Sequence, residues 1–487
     1  MTFISFSYLI FFPLVSCAYF LIPHRFRWML LLCASVVFYM SAVPAYILVL
    51  GAAIIIDYTA ALLIERSQGR VRKVWLIVSI LSTCSLLFVF KYYNFFLSSG
   101  FAVAHLLGTG FHPRFLTLAL PIGLSFHTFQ SLSYVIEVFY GTQKAEKHFG
   151  IYALYVMFFP QLVAGPIERP QQLLHQFREI HIFDDQRAAD GLKRIAWGVC
   201  KKVIIADRLA KFVDPVFSHP TAYTGLPLVV ATVLFAFQLY GDFSGYSDIA
   251  VGSASVMGFR LIENFNHPYR SRSIAEFWRR WHISLSSWLR DYIYFPLVRA
   301  LPRPGRLWLS MCLVVTFLLS GLWHGAGWTY VMMGALHGGY LVIGFVTHGW
   351  RTRWQRMFGL TRWPRLQALF QEIWTFALVC IGWIFFRAAH LHDALYIVGH
   401  LFVFPRSRAL AISPLMSIGL FRQQAVTILA LIVILFMVER AEGEGTFVEI
   451  FRQQPAWLRR TGYAVLLAGL FYLGNFGATK QFIYFQF

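Results

Sequence analysis

Charge is scarce in this chain. Asp, Glu, Lys and Arg make up 13% of 487 residues, and hydrophobic residues make up 58%. A soluble core of that size could not be covered by so little polar surface, so a water-soluble globular protein is excluded and a polytopic membrane protein is indicated. Acid is the scarcer sign, 22 residues against 42 basic ones, for a net charge of +20. In a soluble protein this would suggest nucleic acid. Here the basic residues cluster between apolar runs, as in ERSQGRVRK at 65–73, which is the pattern of cytoplasmic loops and implies no nucleic acid. Cysteine is sparse and dispersed: Cys17, Cys33, Cys84, Cys200, Cys312 and Cys380 stand singly, which gives neither a disulfide framework nor a zinc site. No basic residue precedes the apolar run Phe3 to Ile22, whereas His24, Arg25 and Arg27 follow it. A secretory signal carries its basic residues first, so a retained first span is expected, with its amino end outside the cytoplasm. No internal repeat is visible, and no polar stretch is long enough to fold as a separate soluble domain.

What remains is an all-α polytopic membrane protein with room for roughly ten to twelve spans of about 20 residues. Some segments are not uniform. LPIGLSFHTFQSLSYVIEVFYG (120–141) carries His127, Gln130, Ser133 and Glu137 in an apolar frame, and polar groups at membrane depth must face protein or a water-filled cavity. They are either a polar network joining helices or substrate contacts. FFPQLVAGPIERP (158–170) is too short and too broken by proline for an ordinary span, and reads as a re-entrant segment buried in protein. Lys193, Arg194, Lys201 and Lys202 lie on an otherwise apolar helical stretch, which predicts a helix resting on the membrane surface. In GDFSGYSDIAVG (241–252), Asp242 and Asp248 interrupt a membrane segment, as a hydrogen-bonded scaffold or a cation site. A third well-placed oxygen ligand is missing, so no metal is assigned. The ending ATKQFIYFQF (478–487) is an aromatic tail expected to pack at the membrane interface.

The chain is organised around residues 275–338. At about 100° per helical residue, Glu276, Arg279, Arg280, Arg290 and Asp291 share one arc of roughly 120°, and Phe277, Trp278, Trp281, Leu285, Trp288, Leu289 and Tyr292 fill the opposite arc, which predicts one helix lying in the membrane interface. Leu307 to Trp323 follows without a charge, roughly 26 Å of helix against a hydrocarbon thickness of ~30 Å. It ends at His324, flanked by Gly321, Gly325 and Gly327, and a second apolar run spans Trp328 to Val346. His324 is therefore expected at the turn of a helical hairpin. The glycines permit close approach by a substrate or by another backbone. Histidine is the natural general base near neutral pH. The alternative is a ring that only satisfies a carbonyl in a packed bundle.

The blocks EFWRRWHISLSSWLRDYIYFPL and GLWHGAGWTYVMMGALHG resemble the membrane-bound O-acyltransferase family, in its alginate O-acetyltransferase branch. The likeness extends over most of the chain through FKYYNFF (90–96), LPIGLSFHTFQSLSYVIEVFYG, FFPQLVAGPIERP, KKVIIADRLA (201–210), QLYGDFSGYSDIAVG (238–252) and GWIFFR (382–387), in order. It departs after YIYFPL, where VRALPRPGR replaces a Gly-Gly-Asn-Arg-like turn. The resemblance implies one integral-membrane acyltransferase domain over 1–487, with a core at 90–390 and peripheral helices at 1–89 and 391–487. Its spans, re-entrant and interfacial helices would surround a central tunnel in the bacterial cytoplasmic (inner) membrane.

The family's catalytic histidine, in the LWHG block, maps onto His324. His282 of the WRRWHISL block is a second catalytic candidate, and His337 is expected to be structural. Arg279, Arg280, Trp281, Asp242, Lys201 and Lys202 are candidate substrate contacts; the cations could receive the phosphates of coenzyme A. Acetyl-coenzyme A is the implied donor substrate, with no tightly bound cofactor. The implied partners are membrane lipids, an extracytoplasmic (periplasmic) acetyltransferase and an exported, alginate-like polysaccharide acceptor. Two readings stand beside this one: D-alanyl or other acyl transfer to a cell-wall glycan, and a transporter or flippase without covalent chemistry. The latter often shows repeated halves, which this sequence does not.

Overall fold

Apolar runs without acidic residues leave the backbone no water to bond, so each segment closes its own hydrogen bonds as helix. The computed structural model describes residues 1–41, 43–108, 113–163, 165–357, 362–403, 413–442, 454–474 and 482–485. They are helical almost throughout, and their only β pairing is an isolated antiparallel bridge between Phe265 and Trp281. Among them, seven helices are long and apolar enough to cross a membrane: Tyr46–Arg66, Gly69–Leu106, Leu226–Met257, Arg306–His324, Trp328–Val346, Pro364–Arg387 and Arg422–Arg440. This is fewer than the ten to twelve expected, because several apolar segments form shorter helices, such as the 16-residue Phe6–Leu21 and the 17-residue Leu124–Tyr140. The tail expected at 478–487 lies partly outside the described residues.

The chain divides into two compact units, Met1–Ile195 with Ile249–Glu263, and Ala196–Asp248 with Asn264–Phe487. In the first, buried polar groups pair with one another. Asp57 accepts hydrogen bonds from Ser79 at 2.6 Å and Thr83 at 3.0 Å, and Tyr8 and Ser253 share one at 2.7 Å. Gln130 donates to the Tyr155 carbonyl at 2.6 Å, so this part of the polar frame joins helices. The described residues of the segment 158–170 are buried almost entirely, as expected of a chain that could not face lipid.

Glu168, in that segment, is fully buried, and its Oε1 accepts the Ile262 N–H at 2.7 Å. Burial pushes its carboxyl up to about 8 from an ordinary 4.5, against the opposing pull of the Ile262 N–H and Arg169. A carboxyl raised on folding holds a proton that the unfolded chain has released. Its contribution to stability is therefore complete below about 4.5 and is lost as pH rises through about 8. Glu168→Gln, which fixes the neutral form, is expected to flatten the fall in melting temperature between those pH values in detergent-solubilised protein. An unchanged pH profile would show that Glu168 does not titrate there.

The second unit is built on two close backbone approaches. In the hairpin of Arg306–His324 and Trp328–Val346, a Cβ at Gly321 would overlap the Tyr330 carbonyl, and one at Gly334 the Phe317 carbonyl. Small residues here let the helices pack backbone to backbone, the usual association mode in lipid. Likewise a Cβ at Gly245 would lie 2.7 Å from the Gly198 carbonyl, so the Leu226–Asp248 part of its helix runs tightly along 198–206.

Candidate active site

The single amphipathic helix expected at 275–292 is broken. Ile274–Arg280 and Ile283–Leu289 are separate helices, followed by a π-helical turn Arg290–Tyr294, and the break falls on Trp281 and His282. His282 has φ 45° and ψ 56°, a left-handed conformation uncommon for a residue with a side chain and one that cannot continue a helix. Residues 264–266 impose it: the Asn266 N–H donates to the Arg280 carbonyl at 3.0 Å, and the Ile283 N–H to the Asn264 carbonyl at 2.9 Å. His282 does not cap the second helix with its side chain. The Asn264 carboxamide does so, its Oδ1 accepting from Ser284 N at 3.2 Å and Ser284 Oγ at 2.7 Å. The imidazole is thus turned inward, 0% exposed, instead of lying along a lipid-facing surface. Burial, and then the neighbouring His324, hold its pKa well below the ordinary histidine value, so it is neutral at physiological pH.

His324 is the last residue of its helix, at the turn of the hairpin as expected, and is 3% exposed. Its Nδ1 lies 2.6 Å from the Ser320 carbonyl oxygen. A carbonyl can only accept, so Nδ1 carries the hydrogen and Nε2 carries the lone pair. The flanking glycines serve the helix pair: Tyr330 fills the space beside Gly325, and its backbone lies against Gly321. Of the two approaches that glycine permits, the structure contains the one by another backbone.

Aromatic rings join the two histidines. Trp323 lies 5.8 Å from His282 and 5.1 Å from His324, Phe243 lies 4.7 Å from His282, and Phe386 lies 5.7 Å from His324, all between ring centroids. The last member comes from the end of the chain. Tyr484 sits 5.9 Å from His324, 6.3 Å from His282 and 4.5 Å from Phe243, with Phe482 fully buried beside it. This corrects the expectation of an interfacial tail for residues 482–484. Its cause is polar: the Ile483 N–H donates to Asp242 Oδ2 at 2.7 Å inside the protein. Sequence reading missed Tyr484 because an aromatic run beside a membrane resembles an interfacial anchor. The Asp242 carboxylate, isolated in an apolar helix, was the available signal.

The other candidates are placed as follows. Lys202 is buried between Asp207 at 2.8 Å and Asp242 at 2.6 Å, and Lys201 pairs with Asp248 at 2.5 Å. Both stand on a π-helical turn, Lys201–Ala206, rather than on the surface helix expected for them. Burial alone would lower the Lys202 pKa, but Asp242 and Asp207 outweigh it and raise the value, so the ammonium stays charged. Two buried, neutralised lysines form internal struts and present no open basic surface. Of the arginines, Arg279 is exposed and Arg280 pairs with Glu276 at 2.8 Å. Trp281 is buried against Phe265, Phe277 and Trp383. His337 accepts from Trp278 Nε1 at 3.3 Å in a packed core. No cluster of His, Cys, Asp or Glu among the described residues could hold a metal ion.

Two buried histidines and the tyrosine thus share one aromatic cluster in the second unit. The model of the membrane-bound O-acyltransferase family matches residues 46–390, and the chain belongs to that family. It is 40% identical over 389 residues to the "Probable alginate O-acetylase AlgI" of Pseudomonas aeruginosa, covering 79% of this chain and 71% of that one. To the "Peptidoglycan O-acetyltransferase" of Helicobacter pylori it is 34% identical, over 76% and 72% of the two chains. To the "Teichoic acid D-alanyltransferase" of Bacillus subtilis it is 27% identical, over 56% and 69%. The protein is an O-acyltransferase of the bacterial inner membrane, and it uses an acyl donor.

Proposed function

We propose that this enzyme takes an acetyl group from cytoplasmic acetyl-coenzyme A and delivers it for O-acetylation of an exported, alginate-like polysaccharide. The observation that carries the mechanism is the hydrogen bond from His324 Nδ1 to the Ser320 carbonyl, which leaves Nε2 as the basic nitrogen. Nε2 removes the proton from an acceptor hydroxyl as its oxygen attacks the thioester carbonyl. The new C–O bond forms, the C–S bond breaks, and the thiolate of coenzyme A takes the proton back from the imidazolium. General-base catalysis of this kind contributes about 10² to 10⁴ in rate. His282, neutral and one ring away, orients the donor or acceptor.

Exposed Arg279 is the leading candidate for the donor's phosphates, because Lys201, Lys202 and Arg280 each pair with a carboxylate. The acetyl group then passes to an extracytoplasmic acetyltransferase partner that modifies the polysaccharide. The alginate and peptidoglycan acetylation in the relatives' names supports acetyl over D-alanyl transfer, since those relatives align over more of this chain. Membranes containing the protein are expected to release thiol from acetyl-coenzyme A, and cells lacking it to lose surface O-acetyl groups. Thiol release from no coenzyme A thioester, with acyl transfer from a D-alanyl carrier instead, would replace this reading by the teichoic-acid one.

A further inference from the structure

We infer that Asp242 and Lys202 are positioning residues, which act on the reaction by anchoring the end of the chain over the histidines. This rests on the acyl transfer proposed at His324. Asp242 is 1% exposed, and its two oxygens are divided between two partners: Oδ1 meets Lys202 Nζ at 2.6 Å, and Oδ2 accepts the Ile483 N–H at 2.7 Å. Lys202 is itself held by Asp207 at 2.8 Å, so the carboxylate that receives the tail cannot swing away from it. A hydrogen bond from a backbone amide to an ionised carboxylate is among the stronger ones, and it gains further from burial.

The segment held is short and carries two rings of the aromatic cluster. Residues 482–484 place Phe482 against Phe243 at 5.7 Å and Tyr246 at 4.4 Å, and Tyr484 against Phe243, His282, His324 and Phe386. Ring packing alone fixes such a segment poorly along its own axis, because aromatic contacts tolerate sliding. One directional bond at Ile483, between the two rings, sets the register that brings Tyr484 rather than its neighbours to His324. The polar partners of Asp242 are Lys202 and the Ile483 N–H, so its effect on transfer runs through the tail.

The test separates the anchor from the fold. Ile483→Pro removes the N–H and leaves the ion pairs untouched; proline is tolerated at the first position of a helical turn, which Ile483 occupies in Ile483–Phe485. Ile483→Ala removes the side chain and keeps the N–H. With full-length protein in lipid nanodiscs, Ile483→Pro is expected to lower kcat for acetyl-coenzyme A turnover about tenfold to a hundredfold, the worth of a bond to a charged group, with KM unchanged. Ile483→Ala should lose much less.

Asp242→Ala should match the proline variant, since Lys202 keeps Asp207, and Asp242→Asn, whose carbonyl still accepts the N–H, should recover most of the loss. Amide exchange of residues 482–485, read by mass spectrometry, should be slow in the wild type and fast in Asp242→Ala. Equal activity of Ile483→Pro and Ile483→Ala, or a slow-exchanging tail in an impaired Asp242→Ala, would overturn the assignment. If the wild type turned over no acetyl-coenzyme A, the functional reading would fail, and the exchange measurement alone would still decide whether Asp242 holds the tail.

Discussion

His324→Ala is expected to reduce acetyl-coenzyme A turnover by about 10² to 10⁴, with the protein reaching the membrane at normal levels. The size follows from the general-base role proposed for it, and the intact fold from its position. The imidazole is the last side chain of its helix, and its Nδ1 is hydrogen-bonded to a carbonyl four residues back in the same helix. The hairpin is held instead by Gly321 and Gly334 against backbone carbonyls, which the substitution leaves alone. Turnover by purified protein should be read beside surface O-acetylation in cells. Loss of both at normal abundance places the chemistry on this ring. Retained turnover with lost surface acetylation would confine His324 to the hand-off, and retention of both would remove it from the mechanism.

Tyr484→Phe is expected to separate activity from stability in opposite directions. The Tyr484 hydroxyl is buried and has no hydrogen-bond partner among the described residues. Keeping such a group dry costs about 1–3 kcal/mol relative to an apolar ring of the same shape. Phenylalanine would preserve every ring contact and remove that penalty, so packing does not account for the hydroxyl. Its position against both histidines does, if the hydroxyl takes part in the transfer. The variant should therefore melt at the same or a higher temperature and lose at least about tenfold in transfer, the least that a directed hydrogen bond or proton transfer contributes. Tyr484→Ala, which also removes the ring contacts to Phe243, Phe386 and both histidines, should lose both properties. A phenylalanine variant with wild-type turnover would show that the hydroxyl has no part in the reaction.

Both predictions concern one aromatic cluster, yet they stand differently toward the sequence. His324 was legible. An uncharged run of membrane length, ending on a histidine among glycines and followed by another such run, determines a hairpin with that ring at its turn, because backbone in lipid must be helical and glycine permits the helices to meet. Composition determined the class of protein in the same way, and the order of several motif blocks determined its family.

The sequence did not determine which way His282 faces. Helical periodicity put residues 275–292 on one continuous amphipathic surface. The break at His282 depends on Asn264 and Asn266, whose pairing with 280–284 is a contact between segments that no periodicity records. Nor did it determine the state of Lys201 and Lys202. A run of basic residues reads as a membrane-facing patch until the carboxylates of Asp207, Asp242 and Asp248 are seen to neutralise it, and two of those three partners lie 40 and 47 residues onward. The tail shows the same limit most plainly. Aromatic residues are equally suited to a membrane interface and to a protein interior, and a single backbone hydrogen bond to a carboxylate 241 residues away decides between them. Local pattern sets what a segment can form, whereas the burial of a charge is decided by the partner that the tertiary fold supplies.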